Sequence, residues 1–141
     1  MKVAVGCDHG GIDLKNQVVR QLHHDQIQVL DMGCDTHDSV DYPFYARAVC
    51  SAVLSGEADF GILLCGTGIG MSMAANRMKG IRAALCHEQF TARMSREHNN
   101  ANVLCLGARV IGPGLALEMV KTWLGTEFAG GRHLRRIEMF N

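Results

Sequence analysis

Short apolar runs alternate with segments of helical periodicity along nearly the whole chain, and that alternation leaves few architectures open. The run Lys2–Cys7 is followed by Ile12–His24, in which Leu14, Val18, Val19 and Leu22 recur at helical spacing. Ile27–Gly33 reads as a second strand. Pro43 suits a first helical turn, and Ala46, Val49, Cys50 and Val53 mark the buried face of the helix behind it. Phe60–Cys65 is apolar without interruption, the pattern of a central parallel strand covered on both faces. The glycine loop Gly66–Gly70 leads to a helix over Met71–Arg77. Ile81–Cys86, Glu88–Glu97 and Val103–Gly107 read as strand, helix and strand. Leu115–Leu124 is a helix with Ala116, Met119, Val120 and Trp123 inward, and Gly130-Gly131 breaks it.

Strands and helices taken in turn predict an α/β fold: a three-layer α/β/α sandwich around a five-stranded parallel sheet, Rossmann-like. The 141 residues are one domain's worth, 1–141, ending in a basic tail of helical character from about residue 130. Acidic and basic residues balance at 14 each, which argues against a nucleic-acid partner. No apolar run approaches the length of a membrane span, and the N-terminus lacks the pattern of a signal peptide, so no membrane partner is expected. The cysteines at 7, 34, 50, 65, 86 and 105 show no C-x-x-C spacing and sit largely in apolar runs. They read as reduced thiols of a cytoplasmic protein, with no metal site.

In such sheets, ligands gather beyond the C-terminal ends of the strands. Cys65-Gly66-Thr67-Gly68-Ile69-Gly70 stands at one of those ends. Glycines permit backbone N–H groups to converge as a nest for an anion, and the helix that follows adds its positive end. A cysteine at the mouth of such a loop is favoured as thiolate, so one loop supplies both a base and a stabiliser of negative charge. The same residues also fit a tight strand–helix turn around an unreactive thiol. Asp8 and His9 follow the first strand, where they suit substrate contact; Asp8 equally suits a helix cap. His98 and Asn99 stand just before the fifth strand and Arg109 just after it. Arg132 and Arg136, four apart, share one helical face and fit a phosphate or an ordinary basic surface. Gly6 and Asp31 imitate a dinucleotide-binding layout, but G-x-G-x-x-G is absent and Asp8 stands where a pyrophosphate would lie.

A longer set of residues then fits together. The segments Gly6-Cys7-Asp8-His9, Asp41-Tyr42-Pro43, Gly61–Gly68, Ala74-Ala75-Asn76, Gly80-Ile81-Arg82-Ala83, His98-Asn99, Asn102-Val103-Leu104, Gly107-Ala108-Arg109-Val110 and Gly130-Gly131-Arg132-His133 resemble, in this order, the type B ribose-5-phosphate isomerases. That family also takes in allose-6-phosphate isomerases and is related to the galactose-6-phosphate isomerase subunits. The resemblance implies an aldose–ketose isomerase acting on a phosphorylated sugar, ribose-5-phosphate first and allose-6-phosphate or galactose-6-phosphate as alternatives. It implies no metal and no organic cofactor. It casts Cys65 as the base between C1 and C2, and Thr67 and His98 as the pair that opens the furanose ring. The amides from Gly66 through Gly68 to Gly70 become the hole for the enediolate oxygen. Asp8 and Asn99 contact sugar oxygens, Tyr42 walls the pocket, and His9, Arg109, Arg132 and Arg136 clamp the phosphate.

Family members that lack the cysteine carry a glutamate just after the loop; Met71 stands there in this chain. A full residue set in one chain implies a homodimer or homotetramer with shared sites, in which His98, Asn99 and Arg109 reach into the neighbour. Two readings of other kinds compete: a cysteine hydrolase with Cys65 as nucleophile and His98 as base, and a sugar-phosphate-binding protein without catalysis.

Overall fold

The computed structural model describes residues 1–141. Five strands, β1 (Lys2–Cys7), β2 (Gln28–Asp31), β3 (Phe60–Cys65), β4 (Ala83–Leu85) and β5 (Val103–Gly107), form one sheet in the order β2-β1-β3-β5-β4. Every pairing is parallel. Six helices connect or follow them: α1 (Ile12–His24), α2 (Tyr42–Leu54), α3 (Ile69–Ala75), α4 (Gln89–Glu97), α5 (Pro113–Leu124) and α6 (Arg132–Ile137). The expected three-layer α/β/α architecture is what forms.

β1, β3 and β5 occupy the middle of the sheet, and their side chains are buried from Val3 to Cys7, Gly61 to Cys65 and Val103 to Gly107. Two apolar cores flank them. Val5, Val18, Leu22, Leu104, Met119 and Trp123 belong to one, and Ala46, Val49, Cys50, Leu63, Met71 and Cys105 to the other. Glycine lets helix α2 approach the sheet: a Cβ on Gly6 or Gly61 would stand 2.7 Å from a Val49 methyl.

The edge strands are shorter than the apolar runs suggested. β2 stops at Asp31, whose carboxylate takes the buried Lys15 ammonium at 2.7 Å and the Gly33 amide at 3.1 Å. The Asp31 position that imitated a ribose-binding acid is thus a structural ion pair. β4 begins at Ala83 because Arg82 turns its amide to Asn102 Oδ1, at 2.8 Å. Asn76 covers the outer edge of β4, accepting from the Ala83 amide and donating to its carbonyl at 2.8 and 2.9 Å. That pairing closes a row of backbone groups otherwise open to a foreign strand.

Helices α3 and α5 start earlier than expected. Gly68 takes φ +77° and α3 therefore starts at Ile69, two residues ahead of expectation. Pro113 brings α5 forward to its first turn, and α5 ends at Leu124 against Gly125, well before Gly130-Gly131. Those two glycines, at φ +63° and +55°, instead turn the chain into α6.

Candidate active site

Strands β1 and β3 are neighbours, yet the chain leaves them in opposite directions across the sheet, toward β2 and toward β4. The crevice beyond their C-terminal ends is the position at which sheets of this kind bind ligands. Two loops meet there. The Asp8 amide donates to the Leu64 carbonyl at 3.2 Å, and a Cβ on Gly10 would lie 3.1 Å from the Gly66 nitrogen. A side chain at either Gly10 or Gly11 would drive the loops apart.

Cys65 ends β3 with little of its surface exposed. Its sulfur accepts the Gly68 amide at 3.0 Å. Thr67 Oγ1 accepts the Ile69 amide at 3.3 Å. Two of the amides expected to form an oxyanion hole are therefore engaged by the loop's own side chains. Those of Gly66 and Thr67 enter no hydrogen bond within the chain and are left for an anion. Gly68 has no room for a side chain, since a Cβ would meet Leu85 Cδ1 at 2.6 Å and the Leu106 carbonyl carbon at 2.9 Å.

Around this loop stand four of the other expected residues. Asp8 is buried and does not cap α1, whose N-cap is Gly11; one oxygen instead accepts the Gly10 amide at 2.8 Å. His9 Nδ1 accepts the Val40 amide at 3.3 Å. That donor requires a bare Nδ1, so the proton of neutral His9 sits on Nε2, where it can be given to a ligand. The Tyr42 ring covers Gly70, with its Cζ 2.7 Å from where a Cβ would be. Arg109 donates its amide to the Gly66 carbonyl at 2.9 Å, and its guanidinium lies along the same glycine. Arg109 thus rests against its own chain's loop, whereas the sequence expectation sent it to a neighbour.

The remaining residues are at the other end of the sheet. Parallel pairing sets Cys65 beside Gly107 and Gly61 beside Val103. His98 caps the C-terminus of α4, ahead of β5, so roughly 13 Å of strand separates its level from that of Cys65. The His98 ring stacks on His133 at 4.2 Å with the planes 6° apart, and its Nε2 lies 3.8 Å from a Glu97 carboxylate oxygen. Burial and the charges of His98, Arg132 and Arg136 lower the His133 pKa, against a smaller opposing pull from Glu97. The Ala129 amide ties the tail to the Glu97 carbonyl at 2.9 Å and brings α6, with Arg132 and Arg136, to this end. Asn99 opens into a cleft of about 390 Å³ shared with Asn76, Arg82, Ser95, Ala101 and Phe140. A Cys65–His98 hydrolase dyad is not assembled within one chain.

Sequence reasoning passed over Arg96. It is buried, with its guanidinium carbon 4.7 Å from the Phe60 ring centre and 5.7 Å from that of Trp123. Its helix position carried the signal: Arg96 shares the inward face of α4 with Ala92 and Ser95 at i, i+3 and i+4.

The chain matches the family model described as Ribose/Galactose Isomerase over residues 3–140. It belongs to that family. Ribose-5-phosphate isomerase B of Escherichia coli is 49% identical over 137 residues, covering 97% of this chain and 92% of that one. A D-erythrulose-4-phosphate isomerase of Pectobacterium atrosepticum is 45% identical, covering 98% and 91%. The solved structure of Clostridium thermocellum ribose-5-phosphate isomerase B superposes with a TM-score of 0.97 at 52% identity, covering 99% and 94% of the two chains. In this member of the isomerase family no group of three or more His, Cys, Asp or Glu side chains is placed to hold a metal ion. No helix is long and apolar enough to cross a membrane.

Proposed function

We propose that this chain is a cytoplasmic aldose–ketose isomerase that converts ribose-5-phosphate to ribulose-5-phosphate in a site shared between two copies. The observation that carries the reading is the Gly68 amide on the Cys65 sulfur at 3.0 Å, beside the free amides of Gly66 and Thr67. A base and an oxyanion hole stand on one loop, which is what proton transfer through an enediolate requires. The six unpaired cysteines support a reducing compartment.

His98, acting with Thr67, protonates the ring oxygen as the C1 hydroxyl loses its proton, and the furanose opens to the aldehyde. Cys65 thiolate then takes the C2 proton, and the charge that moves to O1 is held by the Gly66 and Thr67 amides. The same thiol returns the proton to C1 while the O2 proton passes to O1, giving the ketose. Asp8 and Asn99 orient the sugar hydroxyls. His9 Nε2–H, Arg109, Arg132 and Arg136 hold the phosphate, whose binding energy fixes the reacting carbons over the sulfur.

One chain holds these residues at two ends, so a second copy must bring its His98 end to the Cys65 end of the first. The exposed apolar residues beside the loop support this: Phe44 is 72% and Met73 67% exposed, with Ile69 and Val110 also open. Such a patch on a small protein marks a surface that another protein covers.

The test is a kinetic panel of ribose-5-phosphate, erythrulose-4-phosphate, allose-6-phosphate and galactose-6-phosphate. The expected result is the highest kcat/KM with ribose-5-phosphate. A higher value with another sugar moves the substrate assignment, and no turnover of any overturns the isomerase reading.

A further inference from the structure

Asn100, two residues after His98, is held at three points. Its side-chain Oδ1 accepts from Arg96 Nη1 at 2.8 Å, its carbonyl from Arg82 Nε at 3.0 Å, and its amide donates to the Arg96 carbonyl at 3.0 Å. The same Arg96 nitrogen reaches the Ala101 carbonyl at 2.8 Å. Asn100 has φ +45°, a left-handed conformation that glycine adopts more freely than any side-chain-bearing residue. A helix end that needed only to stop would be served better by glycine at this position.

Arg96 is itself an expensive way to end a helix. It is buried, no carboxylate pairs with it, and its Nε has no hydrogen-bond partner. Its charge is met only by carbonyl-type oxygens and by the faces of Phe60 and Trp123. Trp123 is anchored in turn, its indole N–H donating to Ser95 Oγ at 3.0 Å. The guanidinium is thus clamped in the core, and the atoms it holds are the turn on which His98 and Asn99 are carried.

We infer that Arg96 is a positioning residue for ring opening: through Asn100 it fixes the turn that aims His98 and Asn99 at the sugar. The inference rests on the isomerase reading above. A displacement of about 1 Å in an acid costs up to a hundredfold in rate, which is reason enough to hold a turn this firmly.

The two chemical stages can be measured apart. Ribose-5-phosphate enters as a ring and needs His98. Ribulose-5-phosphate has its only ring-forming hydroxyl esterified, stays open, and needs only Cys65 and the loop to exchange its C1 proton with solvent. Asn100→Gly is the decisive variant. Glycine accepts φ +45° without strain, so the turn and the fold survive while the Oδ1 acceptor is lost. Asn100→Asp restores an acceptor to Arg96, and Asp tolerates the left-handed conformation.

The expected result for Asn100→Gly is an unchanged melting temperature, a loss of about tenfold or more in kcat for ribose-5-phosphate, and ribulose C1 exchange in deuterium oxide within twofold of the parent. Asn100→Asp should recover most of the loss. Arg96→Lys, which cannot span both oxygens, should repeat the split between the two assays. Parent-like turnover in Asn100→Gly, equal loss in both assays, or no recovery in Asn100→Asp each overturns the inference. His98→Ala is the control. Should it leave ribose-5-phosphate turnover intact, the ring-opening role of His98 fails, and the positioning role falls with it.

Discussion

The Gly68 amide points at the Cys65 sulfur from 3.0 Å, and the chain then leaves Gly68 at φ +77° to enter α3. The bond ties the proposed base to the geometry of the loop: the turn that leaves the Gly66 and Thr67 amides free also aims an N–H at the thiol. Replacing Cys65 by Ala should therefore remove the base and leave the oxyanion amides in place. We expect a loss on the order of a hundredfold to ten-thousandfold in kcat, with substrate binding retained. Isomerisation of ribose-5-phosphate by purified Cys65→Ala at the parent rate would exclude Cys65 as the base.

Gly70 and Tyr42 form a second coupled pair. A Cβ at position 70 would stand 2.7 Å from the Tyr42 ring, so Gly70→Ala must push the ring into the pocket it walls or out of it. KM should rise by about tenfold. Removing the ring removes the clash, so Gly70→Ala should add little in a Tyr42→Ala background, a non-additivity expected of residues in contact. Additive effects in the double variant would show that Gly70 acts through something other than Tyr42.

Burial raises the thiol pKa of both Cys7 and Cys50, each to about 12 from the ordinary 9.0. Below pH 9 the thiols are neutral in both folded and unfolded chains, and their contribution to stability is fully present. Above it the unfolded chain releases protons that the folded chain keeps, so stability falls as pH rises from 9 towards 12. Thermal melts under reducing conditions should show this alkaline decline, and Cys50→Ala should be less stable at neutral pH but decline less steeply. An unchanged slope in Cys50→Ala would remove Cys50 as a cause.

The proposed chemistry runs on side chains and backbone amides, and no cluster of three His, Cys, Asp or Glu side chains offers a metal seat. Dialysis against a chelator should leave kcat within the error of the untreated enzyme. A loss restored by one added divalent ion would require a different means of stabilising the enediolate.

The central strands were legible because β3, β5 and, from Val3 on, β1 are apolar throughout, as a strand buried on both faces is expected to be. The ends of the edge strands were not, because polar partners set them: Lys15 at Asp31, and Asn102 at Arg82. The loop at Cys65 was legible because glycines and a reactive residue type coincide at a strand end. The fate of its amides was not, since only the folded turn shows Gly68 and Ile69 already engaged. The grouping of His98 with Arg132 and Arg136 depends on Glu97 holding the tail through Ala129, a contact that no spacing announces. Arg96 was passed over despite sharing a helix face with Ala92, because an arginine near a helix end reads as solvated until Phe60 and Trp123 are seen to enclose it.

Cys65 ends β3, and His98 precedes β5 at the other end of the sheet, so the proposed site draws the two from different copies. Complementation tests this directly. Cys65→Ala and His98→Ala, each inactive alone, are unfolded together and refolded as a mixture. In a two-fold dimer, a hybrid has one site that takes both lesions and one that takes neither. Random pairing makes half the dimers hybrids, so about a quarter of all sites should be whole and about a quarter of the parent activity should return. Each single variant refolded alone sets the background. Were the site built from one chain, every site in every hybrid would carry one lesion, and the mixture would stay at that background. Activity that fails to rise when mass measurement shows hybrid dimers present would confine the site to a single chain.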